Sequence, residues 1–203
     1  MSDLVVRGGW VLVGIVALSF FAWAMIVGAW WRLKSQETAS TPWAERVVKA
    51  VRAGDLPAAA EICRERTSLV GRFLFAGLAG RDPRLYFADR HVTPVLRGEA
   101  TALARFLPQI AVLGSSLPLL GLLGTILGMV ETFSAITRHG TQEVSQLADG
   151  VSQALITTQA GLVAALPVLV LHRYLASRVR RCMEMMQLYG KQVQAAIVHG
   201  RHA

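Results

Sequence analysis

Two long apolar stretches, residues 118–133 and 150–167, constrain the fold most. Each carries glycines and threonines at helical spacing within an otherwise apolar run. A helix needs about 20 mostly apolar residues to cross the hydrocarbon core of a bilayer, and each stretch reaches this length with its apolar flanks. A third apolar block begins near residue 8 and ends near Trp31. We therefore predict an all-α integral membrane protein with three transmembrane helices.

The composition favours the same class. Hydrophobic residues make up 53% of the 203 residues and charged residues 17%, whereas soluble domains carry about 25% charged residues. A net charge of +8 would suggest nucleic acid as the partner of a soluble protein. Here the basic residues flank the apolar blocks, so membrane topology explains them and no nucleic-acid partner is expected. Cys63 and Cys182 belong to no CxxC motif or Cys/His cluster, so we expect no disulfide, metal or cofactor.

The basic residues also orient the chain. Lys and Arg are abundant in residues 32–106 and again from Arg173 onward, whereas residues 136–148 contain only Arg138. By the positive-inside rule the two basic segments face the cytosol, which puts the N-terminus outside. The predicted organisation is a first span in 1–33, a cytosolic helical region in 34–106, a second span in 107–136, an external loop in 137–148, a third span in 149–174 and a cytosolic helical tail in 175–203.

The cytosolic region between the first two spans is predicted to be helical. Thr41 and Pro42 form a helix-start signal, and Asp55 is placed to cap the next helix, from Leu56 to about Arg66. A later helix is predicted to begin near residue 93 and to run through Arg105 straight into the membrane.

Small residues form one face of the second span. Gly121, Thr125, Gly128 and Thr132 recur at intervals of three or four, and Gly124 lies four residues before Gly128. A small-xxx-small pattern allows two helices in a membrane to approach closely. We therefore predict that this span packs tightly against another helix.

Polar residues inside the spans are the candidates for function. Apart from Asp3 and Asp149 near the span ends, Glu131 is the only acidic residue within the three predicted spans, and a carboxylate in a membrane segment marks a functional site by default. The alternative is that Glu131 lies solvated near the end of its helix. On the third span, Gln153 and Thr157 share a face and Thr158 lies about 100° from Thr157. The alternative for these groups is that they only hydrogen-bond between helices.

The two motifs resemble the signatures of the MotA/TolQ/ExbB proton channel family. They read Gly121-x-x-Gly124-Thr125-x-x-Gly128 and Ala154-Leu-Ile-Thr157-Thr158-x-x-Gly161-Leu-x-Ala-Ala-x-Pro167. The resemblance covers roughly residues 100–180. The three spans and the external N-terminus are similar to the ExbB/TolQ branch, because MotA-type stators have four spans.

This resemblance implies a homopentamer in the bacterial inner membrane, with its external loop in the periplasm and its C-terminus in the cytosol. The central pore would enclose the single-span helices of ExbD/TolR-like subunits, whose aspartate takes up and releases protons. Proton flow would then drive a TonB-like protein and TonB-dependent transport across the outer membrane. Thr125 and Thr158 match the pore-facing threonines of the family. Thr132 and Thr157 are further candidates for the proton pathway, beside Glu131 and Gln153. The candidate positions for helix packing are the motif glycines together with Pro118 and Pro167.

The resemblance implies a channel subunit, and the sequence contains no Walker, GxSxG, HExxH or Rossmann motif, so we expect no enzyme and no catalytic residue. Alternatives within and beyond the branch stay open: a TolQ-like role in envelope integrity, a pentameric scaffold that does not conduct protons, and a stator, which the span count disfavours. The basic run at 178–181 would anchor the third span and could contact anionic membrane lipids.

One position departs from the family pattern. Gln153 stands where ExbB and TolQ proteins usually have a glutamate, five residues before the second threonine, and an amide cannot exchange a proton at ordinary pH. Glu131 and Gln153 lie about 9 and 7.5 Å above their respective threonines, at 1.5 Å per residue. We therefore predict that Glu131 replaces the family glutamate with Gln153 as its partner. The alternative is that the aspartate of the partner subunit suffices.

Overall fold

The computed structural model describes residues 2–36, 41–66, 68–139 and 144–199. All regular structure in these ranges is α-helical, which confirms the predicted fold class. The side chains of residues 135 and 153, among others, lie outside the described part. The helices are α1 Ser2–Gln36, α2 Thr41–Arg52, α3 Leu56–Arg64, α4 Leu69–Leu78, α5 Pro83–Phe87, α6 Asp89–Leu103, α7 Leu107–His139 and α8 Val144–His199.

Three helical segments are long and apolar enough to cross a membrane: Gly9–Lys34, Leu107–Ser134 and Gly150–Val198. The predicted number of spans is therefore confirmed. The first segment begins at a change of direction in α1, where Gly9 adopts a φ of 59°. Only glycine adopts this left-handed conformation readily.

The chain divides into two compact units. The first, which we call the spanning unit, comprises residues 1–29 and 106–174. Within it α1 buries one stripe of side chains, Val11, Ile15, Ala22 and Ile26, at intervals typical of a helix face. The outward faces carry exposed apolar side chains, as hydrocarbon or a neighbouring chain would require.

The second unit, which we call the short-helix unit, comprises residues 30–105 and 175–203. Its core combines side chains of α2 to α6 with α8 residues such as Met186 and Val193. Side chains cap three of its helices: the Asp55 carboxylate accepts from the Ala58 N–H at 2.9 Å, Ser68 Oγ from Gly71, and Asp82 from the two backbone N–H groups at 84 and 85. The predicted cap at Asp55 is thus confirmed.

The predicted continuous helix from residue 93 through Arg105 into the membrane is wrong. α6 begins earlier, at Asp89, and ends at Leu103; a turn covers residues 104–106 before α7 begins at Leu107. Pro108 explains the break. It has no N–H to donate to the carbonyl of residue 104, and its ring clashes with that carbonyl in a continuous helix. Near a helix N-terminus the same proline is tolerated.

Cys63 lies in the core of the short-helix unit. Burial raises the pKa of its thiol to about 12, because an apolar environment disfavours the thiolate. The thiol therefore stays protonated at physiological pH, and it acts as a small apolar side chain rather than as a nucleophile.

Candidate functional site

The candidate site is the line of contact between α7 and α8, which we call the seam. A Cβ built at Gly128 would lie 3.1 Å from the Cβ of Ala154, and one built at Gly121 would lie 2.9 Å from the Cα of Thr158. Rising numbers on α7 thus meet falling numbers on α8, so the two helices are antiparallel.

Glycines let the two backbones touch in the middle of the seam. A Cβ at Gly161 would lie 2.6 Å from the Leu117 carbonyl oxygen and 3.2 Å from the Cα of Gly121. A Cβ at Gly121 would lie 2.9 Å from the Thr157 carbonyl oxygen. All three obstacles are backbone atoms, which cannot rotate away. A methyl group at either glycine would therefore force the helices apart.

Other small residues extend the contact in both directions. A Cβ at Gly124 would meet the side chain of Thr157, and one at Gly150 would meet Thr132. Gly114 lies against Leu169 at the other end. Sequence reasoning missed Gly114, although its position seven residues before Gly121 places it on the same face.

Two hydroxyl groups converge on one backbone carbonyl within the seam. Thr158 Oγ1 donates to the Gly121 carbonyl oxygen at 3.0 Å, and Thr157 Oγ1 lies 3.3 Å from the same oxygen. Thr157 is 2% exposed, and its hydroxyl also lies 2.7 Å from the Ala154 carbonyl oxygen. No sequence signal could have identified this acceptor, because every residue carries a carbonyl.

The remaining predicted site residues on α7 either hydrogen-bond within their own helix or have an exposed side chain. Thr125 is partly buried, and its hydroxyl donates to the Leu122 carbonyl oxygen at 2.7 Å. Thr132 is 8% exposed and donates to the Gly128 carbonyl oxygen at 2.7 Å. The Glu131 side chain is exposed. The Gln153 side chain lies outside the described part, so the predicted pairing with Glu131 stays a prediction.

The predicted threonines and the predicted carboxylate lie on opposite flanks of the seam. At 100° per residue, Thr125 lies about 50° to one side of the α7 contact stripe and Glu131 about 70° to the other. On α8, Thr158 and position 153 lie about 60° and 80° to opposite sides of its contact stripe. Because the helices are antiparallel, Thr125 shares a flank with Thr158, and Glu131 shares the other with position 153.

Pro118 and Pro167 lie inside α7 and α8, respectively. Each leaves the carbonyl four residues earlier without its helical N–H donor. On α7 that carbonyl belongs to Gly114, beside which Leu169 packs. Neighbouring helices make such prolines tolerable within a membrane segment.

Comparison with known proteins gives consistent matches. A sequence model described as the MotA/TolQ/ExbB proton channel family matches residues 65–188, which include α7 and the seam residues of α8. The chain is 32% identical to the biopolymer transport protein ExbB-like 1 of Synechocystis, over 96% of this chain and 78% of that protein. It is 24% identical to the Tol-Pal system protein TolQ of Pseudomonas aeruginosa, over 92% and 86% of the two chains. The match to the biopolymer transport protein ExbB of Pseudomonas putida is 36% identical but covers only 34% of this chain and 21% of that protein.

Proposed function

Because the chain belongs to the MotA/TolQ/ExbB proton channel family, we propose that it is the multi-span subunit of a complex that drives TonB-dependent transport across the outer membrane. Family membership and three apolar helices make the chain a multi-pass inner-membrane protein of an energy-transducing system. The observation that carries the proposal is the seam, because one of its flanks brings together Thr125 and Thr158.

In the proposed assembly five copies surround a central pore and turn this threonine flank toward it. The pore holds the single-span helix of an ExbD/TolR-like partner, whose aspartate carries the proton. A threonine hydroxyl can donate to the ionised carboxylate and accept from its protonated form, so it serves both states without a charge of its own. One proton that crosses 100 mV delivers about 2.3 kcal/mol, so transport requires repeated transfers.

Removal of the Thr158 hydroxyl tests this function. We expect Thr158→Val to lower proton flux into vesicles that contain the complex and its partner by about tenfold or more, because a hydrogen bond to a charged group is lost. Thr158→Ser should retain most of the flux. Thr137→Val is the matched control, because within the described part of the chain the Thr137 hydroxyl donates to carbonyls of its own helix, at 2.9 and 3.3 Å. Wild-type flux through Thr158→Val would contradict the proposal.

A TolQ-like role in envelope integrity is the second candidate, favoured by the nearly full-length match to a TolQ protein. A deletion strain separates the two roles. Loss of energy-dependent uptake with an intact envelope supports the first, and detergent sensitivity with leakage of periplasmic proteins supports the second. Gln153 favours a third candidate, a scaffold that does not conduct protons. The flux measurement would reveal it as an assembled complex without flux.

A separate experiment identifies the coupling ion: the H⁺ gradient is exchanged for a Na⁺ gradient and the flux is measured again.

The proposed orientation places the N-terminus and the loop around residue 141 in the periplasm. In a background that lacks Cys182, we expect a membrane-impermeant maleimide to label Thr141→Cys in intact spheroplasts. Arg81→Cys, at an exposed position of the short-helix unit, should react only after the membrane is permeabilised. The reverse pattern would invert the topology.

A further inference from the structure

The Gly121 carbonyl oxygen has two potential hydroxyl donors from adjacent residues of α8. Thr158 Oγ1 lies 3.0 Å away and Thr157 Oγ1 3.3 Å away. The Thr157 hydroxyl has a second acceptor, the Ala154 carbonyl oxygen, at 2.7 Å. A hydroxyl has one proton and donates it to one acceptor at a time. The Thr157 hydroxyl can therefore donate to either the Gly121 or the Ala154 carbonyl oxygen.

In the proposed function, the Thr158 hydroxyl has two competing acceptors, the Gly121 carbonyl and a carboxylate in the pore. Its hydroxyl cannot donate to the Gly121 carbonyl and to a carboxylate in the pore at the same moment. Each time Thr158 donates to the pore, the seam would lose a hydrogen bond between its two helices. An interhelical bond has few substitutes where water is excluded.

We propose that Thr157 is a positioning residue that takes over the Gly121 carbonyl whenever Thr158 releases it, a role that rests on the proposed function of Thr158. The two hydroxyls then exchange at one acceptor, and the seam keeps one interhelical bond in both states. The Ala154 carbonyl that Thr157 releases keeps its ordinary helical N–H donor, four residues later.

The packing of Thr157 suits this role. Its side chain fills the notch at Gly124, where an added Cβ would lie 2.7 Å from the Thr157 Cβ. From this position the Thr157 hydroxyl oxygen lies within reach of both the Gly121 and the Ala154 carbonyl oxygens, at 3.3 and 2.7 Å. A shortening of the 3.3 Å distance by about half an ångström would give a hydrogen bond of ordinary length. Because Thr157 is 2% exposed, bulk water does not compete with the two carbonyls for its hydroxyl proton.

A double-mutant cycle with two readouts tests the exchange. The variants are Thr157→Val, Thr158→Val and the double variant, in the full chain assembled with an ExbD/TolR-like subunit. We expect each single variant to keep a melting temperature close to wild type, because the other hydroxyl still bonds the Gly121 carbonyl. The double variant should lose more than the sum of the two single losses.

The flux readout separates positioning from packing. Thr157→Val should lower proton flux, reported by a pH-sensitive dye inside vesicles, by about tenfold or more, since Thr158 is then held at the Gly121 carbonyl. Thr157→Ser restores a hydroxyl and should restore the flux. Thr157→Val with wild-type flux and a lowered melting temperature would overturn the proposal, as would strictly additive stability losses. A wild-type complex without flux refutes the proposed function, whereas a non-additive stability loss would still support the exchange of hydroxyls.

Discussion

Gly161→Ala is expected to prevent normal assembly of the complex, whereas Gly28→Ala is expected to be tolerated. The new methyl group at 161 would lie 2.6 Å from the Leu117 carbonyl oxygen and 3.2 Å from the Cα of Gly121. Overpacking of a close contact costs about 1–3 kcal/mol, and more where backbone must move. At Gly28 in α1 the same methyl group would meet nothing within 4 Å. The two substitutions therefore add the same group and differ only in the room around it.

The structure also predicts an order of severity along the seam. Gly121→Ala should be nearly as severe as Gly161→Ala, because its methyl group would lie 2.9 Å from the Thr157 carbonyl oxygen. Gly128→Ala should be milder, since its nearest obstacle is the Cβ of Ala154 at 3.1 Å. The severity of each variant is measured by its melting temperature and by the fraction of the protein that assembles into the oligomer in detergent. Equal behaviour of Gly161→Ala and Gly28→Ala would show that the seam is not the close contact described above.

Patterns that depend on local chemistry predicted the structure well. The length of the apolar blocks gave the three spans, and Asp55 marked the start of α3 because a carboxylate there satisfies a free N–H of the first turn. The break after Leu103 was missed, although Pro108 carries the signal, because a proline can lie in the first turn of a new helix as well as within a continuous one. The convergence of Thr157 and Thr158 on the Gly121 carbonyl depends on the rotation and register of two helices, which a single sequence does not specify.

The two flanks of the seam separate residues that the resemblance had placed in one candidate pathway, with Thr125 and Thr158 on one flank and Glu131 and position 153 on the other. If the flank with Thr125 and Thr158 faces the pore, Glu131 faces away from the centre of that pore. Position 153 shares the flank of Glu131, and so would the family glutamate that Gln153 replaces. The relocated carboxylate would therefore remain on the side of the seam that the resemblance assigns to it.

The register of the seam brings Glu131 and position 153 to similar heights. Gly128 lies against Ala154 and Gly150 against Thr132, so position 153 lies level with about residue 129 of α7. Glu131 is two residues further along, a difference of about 3 Å in height. A glutamate side chain spans this distance, so a carboxylate on either helix can occupy nearly the same place.

Moving the carboxylate from α7 to α8 is therefore expected to restore most of the proton flux that is lost when the carboxylate is removed. Glu131→Gln should lower flux by about tenfold or more, because the amide that replaces the carboxylate cannot take up or release a proton at ordinary pH. The double variant Glu131→Gln/Gln153→Glu should recover most of the loss, and Glu131→Gln/Gln153→Ala, which has no carboxylate at either position, should not. Full flux in Glu131→Gln would show that Glu131 is peripheral and that the aspartate of the partner subunit suffices. A low flux that Gln153→Glu fails to restore would show that the two positions are not equivalent, and that Glu131 acts in a way particular to α7.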